Sequence, residues 1–88
     1  MHTIAKRIHN ITPRPMDVTF ADGGTVRLTV SSAEFFQEAF QAEAESEDGT
    51  EYRFVSDGDD DPVVGARERD DGGWQPVGEV TAVARAEE

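Results

Sequence analysis

Ile4, Ile8 and Ile11 recur at the i, i+4, i+7 spacing of a single helix face, with Lys6, Arg7 and His9 on the others, so the chain opens with a short amphipathic helix. Pro13 and Pro15 stop it, because proline lacks the amide hydrogen that a helix interior needs. From Met16 the period changes to two. Met16, Val18 and Phe20 alternate with Asp17 and Thr19, Ala21-Asp22-Gly23-Gly24 supplies turn chemistry, and Thr25 to Val30 alternates again, which predicts a hairpin.

Two periods compete over residues 31 to 46. Ser31 with Glu34 three residues on resembles a capping box, and Phe35, Phe36, Ala39 and Phe40 would share a helical face. Phe40 to Ser46 fits an alternating strand better. The reading is therefore a helical turn or two near 32 to 37, then a strand entering the Glu47-Asp48-Gly49 turn. Its partner runs from Thr50 to Val55, with Tyr52 and Phe54 on one face and Glu51 and Arg53 on the other. Asp57-Gly58-Asp59-Asp60-Asp61-Pro62 is a loop by composition. Val63 to Arg69 and Trp74 to Arg85 form a last pair across Asp70-Asp71-Gly72-Gly73. The fold class is mainly β: a small antiparallel barrel or half-barrel of five to six strands, SH3-like in size, with a short N-terminal helix or arm. Residues 1–14 form the basic helix or arm and 15–88 a single small β domain.

Composition limits what such a domain can do. Its 88 residues contain no cysteine, which excludes disulfides, thiolate zinc sites and a cysteine nucleophile. Of the 36% hydrophobic residues, ten are Ala and nine Val, so the core is thin. A small core of this kind leaves little net stability after the entropy of ordering the chain. Asp and Glu number 19 against 8 Lys and Arg, a net charge of −11. The charge is uneven: residues 1–16 hold Lys6, Arg7 and Arg14 and no acid, for +3, and the other 72 hold five Arg and 19 acids, for −14. Acid excess, a single Lys and small aliphatic side chains together resemble the proteins of salt-loving archaea. That resemblance lies in whole-chain composition and implies folding in concentrated salt. No stretch is apolar enough for a secretory signal or a membrane span, so a cytoplasmic protein is expected.

Candidate chemistry is sparse. Asp57, Asp59 and Asp61 stand at the first, third and fifth places of a calcium-loop pattern and Glu68 at the twelfth, the positions at which oxygen ligands would surround Ca²⁺. Pro62, however, occupies the sixth place, which requires glycine. The prevailing reading is a solvated acidic loop and no metal. His2 and His9 lack a nearby carboxylate, and Ser31 and Ser32 lack a base, so no catalytic constellation is visible and no cofactor is expected.

Helix, hairpin and further strands, with Asp22-Gly23 at a turn, look similar to the Sm-like RNA binders. The Asn-containing loop and Arg-Gly dipeptide that form that family's base pocket are missing here. What remains is a candidate binding face of Lys6, Arg7 and Arg14, joined by Arg53, Tyr52 and Trp74. A non-catalytic interaction or regulatory module is the leading expectation. Its partner would be another protein, or a second copy through an exposed strand edge. Nucleic-acid contact through the basic head is the alternative, and an acidic face that mimics nucleic acid is a third.

Overall fold

A computed structural model describes residues 3–37, 39–58 and 62–86. Helix α1 (Thr3–Ile11) is followed by strands β1 (Pro15–Phe20), β2 (Thr25–Phe36), β3 (Ala39–Ser46), β4 (Glu51–Ser56), β5 (Val64–Glu68) and β6 (Trp74–Arg85). Each strand pairs antiparallel with its neighbours in sequence, and β6 returns to β1, so the sheet closes as an up-and-down barrel. The six ladders form a closed ring. At this seam β1 and β6 satisfy each other's amides from Met16↔Arg85 to Phe20↔Val80.

Alternation fills the interior. Met16, Val18 and Phe20 of β1 face Leu28 and Val30 of β2, Phe40, Ala42 and Ala44 of β3, Tyr52 and Phe54 of β4, and Val80 and Val83 of β6. The rings of Phe20 and Phe54 stack with centroids 6.4 Å apart. Gly65 on β5 makes room for them: a Cβ there would lie 2.9 Å from the Phe20 ring and 3.0 Å from that of Phe54. Helix α1 adds Ala5, Ile8 and Ile11 to the same core and packs against β2 and β6. Its Arg7 Nε donates to the Val83 carbonyl, and the His9 ring meets that of Phe35 at 5.5 Å.

The segment read as a helical turn near 32 to 37 is instead the second half of β2. A bulge between Val30 and Ser32 shifts the register, after which Ser32↔Glu43, Ala33↔Ala42, Glu34↔Gln41, Phe35↔Phe40 and Phe36↔Ala39 pair in order. The extra residue breaks the period of two and leaves Phe35 and Phe36 on opposite faces, a local pattern that imitates a helix. The strand ends in a tight turn with Gln37 at φ 58°.

Three hairpins share one design. In Phe20–Gly24, Ser46–Thr50 and Arg69–Gly73, the fourth residue's amide donates to the first residue's carbonyl, and the first residue's amide to the fifth residue's carbonyl, at 2.7–3.0 Å. The fourth residue is Gly23, Gly49 or Gly72, each with φ near 90°, a conformation that glycine adopts without a steric penalty. The aspartate before it caps the turn: Asp22, Asp48 and Asp71 each accept from the amide two residues on, at 2.8–3.0 Å. All three lie at one end of the barrel, since odd-to-even connections of a meander emerge on the same side. The β2–β3 turn, the β4–β5 connection and α1 lie at the other.

Candidate interaction surface

The barrel's interior is filled by side chains, so its chemistry lies on the outer surface. The six residues expected to share one face divide into separate groups. Tyr52 is only 7% exposed and points inward beside Phe54, because alternation along β4 sends it and Arg53 to opposite sides. It contributes to the core and leaves the expected face. Arg53 and Trp74 do meet on the outside, the guanidinium lying 4.4 Å from the centre of the indole ring. They are bordered by Glu43, Glu45 and Glu51, which with them line a shallow groove of about 110 Å³.

Lys6, Arg7 and Arg14 lie elsewhere, and the fold brings them a fourth cation that sequence reasoning missed. Arg85 ends β6 opposite Met16, so closure of the barrel carries it to the start of β1. There it lines two adjoining grooves. One, of about 390 Å³, runs along α1 past Lys6, Arg7 and Asn10. The other, of about 380 Å³, is bounded by Arg14, Arg27, Thr29, Glu45 and Glu47. The only sequence signal for Arg85 was its place at the end of a strand that closes on β1. Arg27 is held by Asp17 of the neighbouring strand, Nε to Oδ1 3.0 Å.

A third feature is apolar. Phe36, Val55 and Val64 are 57%, 41% and 39% exposed. Val55 and Val64 are direct cross-strand partners, Gln41 lies beside Val55, and Phe36 projects on the same outward side from the β2–β3 turn. They form an outward-facing apolar stretch on β2 to β5, toward the end where α1 sits.

The acidic residues arrange no cation cage among the described residues. Asp57 follows β4, where buried Ser56 donates from its hydroxyl to the Gly58 carbonyl at 3.0 Å. Asp59 and Asp61 lie outside the described residues. Glu68 lies beyond the length of β5, at the opposite end of the barrel, where it pairs with Trp74. The five residues of β5, at about 3.3 Å each, separate it from the end of the barrel where Asp57 lies. Among the described residues, the carboxylate with a clear shift is elsewhere, in the β3–β4 turn. Asp48 is lowered to about 2, first by the hydrogen bond from the Ser46 hydroxyl and then by those from Thr50.

Over residues 1–88 the chain matches a family described as a domain of unknown function, DUF8072. It belongs to that family. No curated protein and no solved structure matches it. Among the described residues of this DUF8072 domain, no helix is long and apolar enough to cross a membrane.

Proposed function

We propose that this DUF8072 domain is a non-catalytic protein-interaction module that works in concentrated salt. The observation that carries the reading is the outward exposure of Phe36, Val55 and Val64 in a chain whose core is short of large side chains. Leaving a phenylalanine more than half exposed forgoes burial that stabilises by about 25 cal/mol per Å² of apolar surface. A partner protein covering this stretch would recover it, and cross-strand apolar neighbours offer a firm, flat surface. The acidic exterior supports the salt part of the reading, since carboxylates crowded on a thin core are tolerated where their repulsion is screened.

Replacing Phe36 with the photo-crosslinker p-benzoylphenylalanine tests the reading in extract of the native cells, kept at high KCl. A discrete adduct with another polypeptide is expected, disappearing when Val55→Lys and Val64→Lys are added. Adducts insensitive to those two changes, or none beyond the chain itself, would overturn it. The mass of the adduct separates a second copy from a different protein.

A further inference from the structure

Of the eight Lys and Arg side chains, five are engaged within the molecule. Arg7 donates to the Val83 carbonyl, Arg27 pairs with Asp17, Arg53 lies over Trp74, Arg67 reaches Gln75 and Arg69 pairs with Asp71. Lys6, Arg14 and Arg85 are the other three, and among the described residues none has an ion-pair or side-chain hydrogen-bond partner. These three line the two adjoining grooves, with Arg85 common to both. Glu45 and Glu47 line the same groove as Arg14 and Arg85, yet among the described residues neither forms an ion pair with them. Arg85 meets Arg14 in one groove and Lys6 in the other, so the three cations are gathered at one place on the surface.

Two features decide which anion. Glu45 and Glu47 stand at the far side of the Arg14 groove, so a continuous row of phosphates running along it would meet repulsion part-way. A polynucleotide also extends beyond the grooves across the acidic body. A short polypeptide segment does neither: its carboxylates meet the cations, and its backbone amides donate to Glu45 and Glu47. Among the described residues, no aromatic side chain lines either groove to stack a base.

We propose that Lys6, Arg14 and Arg85 form a docking site for an acidic segment of a partner protein, one carboxylate meeting Arg14 and Arg85 and a second meeting Lys6. This rests on the reading of the domain as a protein-interaction module and names a second contact, apart from the apolar stretch. Arginine supplies the planar fork that grips a carboxylate through two hydrogen bonds, which survive screening better than the long-range field does.

Fluorescence anisotropy tests it with a labelled decapeptide of alternating Glu and Ser, at the lowest KCl concentration at which circular dichroism shows the protein folded. Controls are the same peptide with Gln for Glu and a labelled decauridylate. Saturable binding of the acidic peptide is expected, weakened about tenfold or more in Lys6→Gln/Arg14→Gln/Arg85→Gln, with the Gln peptide silent. All three positions are exposed, and the dichroism spectrum checks that the variant folds. Tighter binding of decauridylate than of the peptide overturns the proposal in favour of nucleic acid. Binding of the peptide unchanged in the triple variant, or absent in the millimolar range, also overturns it. Removal of Glu87 and Glu88 leaves the affinity unaltered; a marked gain would make the chain's own tail the occupant and defeat the proposal. Crosslinking at Phe36 reads a different surface, so loss of either result leaves the other interpretable.

Discussion

The guanidinium of Arg53 lies 4.4 Å from the ring centre of Trp74, reaching across β5 from β4 to β6. Neither residue is a register partner of the other: Arg53 pairs with Ala66, and Trp74 with Glu68. Ala66 and Glu68, their register partners, both belong to β5, the strand between them. A cation over an indole at a partly exposed site contributes about 0.5–1 kcal/mol. A double-mutant cycle of Arg53→Gln and Trp74→Leu, read by KCl-stabilised thermal unfolding, is expected to show a coupling of that size. Additive effects of the two changes would mean that the stack contributes nothing.

Gly65 is where the core is least forgiving. Its missing side chain is occupied by the Phe20 and Phe54 rings, and a methyl group there would sit 2.9 and 3.0 Å from them. Gly65→Ala is expected to destabilise by about 1–3 kcal/mol, the usual effect of overpacking. Phe54→Leu in the same chain removes the 3.0 Å contact and leaves the one with Phe20, so the double variant should lose less than the sum of its parts. Denaturant unfolding of the four proteins measures this.

Glu45 and Glu51 face each other directly across β3 and β4, both exposed. Like charges opposite one another in a sheet are unfavourable, by about 0.2–1 kcal/mol where they are not screened. Glu51→Lys should therefore raise stability at low salt. The gain should vanish in 1 M KCl, where the Debye length is about 3 Å. The wild-type fold itself should strengthen as KCl rises, and a circular-dichroism signal constant from millimolar to molar salt would contradict the salt reading.

Asp48 supplies a pH-dependent contribution. Its folded value of about 2 lies below the ordinary 3.8, so its hydrogen bonds favour the native state when it is ionised. That contribution is complete above about pH 4 and is lost as pH falls from there toward 2. Carbon-13 NMR of the Asp48 carboxyl should give a midpoint near 2 that moves up toward 3.8 in Ser46→Ala, because the Ser46 hydroxyl is the largest cause. An unmoved midpoint would refute that assignment.

The helix face of Ile4, Ile8 and Ile11, the three Asp-Gly turns and the mainly β class were legible because each is a local matter of period or turn residue. Alternation along β4 also placed Tyr52 with Phe54 and apart from Arg53, and grouping Tyr52 with Arg53 as one binding face contradicted that alternation. What stayed hidden is non-local. The bulge at Val30 and Ser32 disguised the strand from Ser32 to Phe36 as helix, since a two-for-one register shift has no residue signature of its own. Arg85 joins Arg14 only because the last strand closes on the first, and no spacing between positions 14 and 85 reports that.

Closure has a kinetic side as well. Five of the six ladders join strands adjacent in the chain, and three of those hairpins begin at glycine turns that form on their own scale of time. The sixth, from Met16↔Arg85 to Phe20↔Val80, brings together residues near the two ends of the described chain. That ladder closes a far longer loop than any hairpin does, and the entropy of closing a loop rises slowly with its length. The seam is thus the contact of highest sequence separation in the barrel, and the hairpins are its local ones.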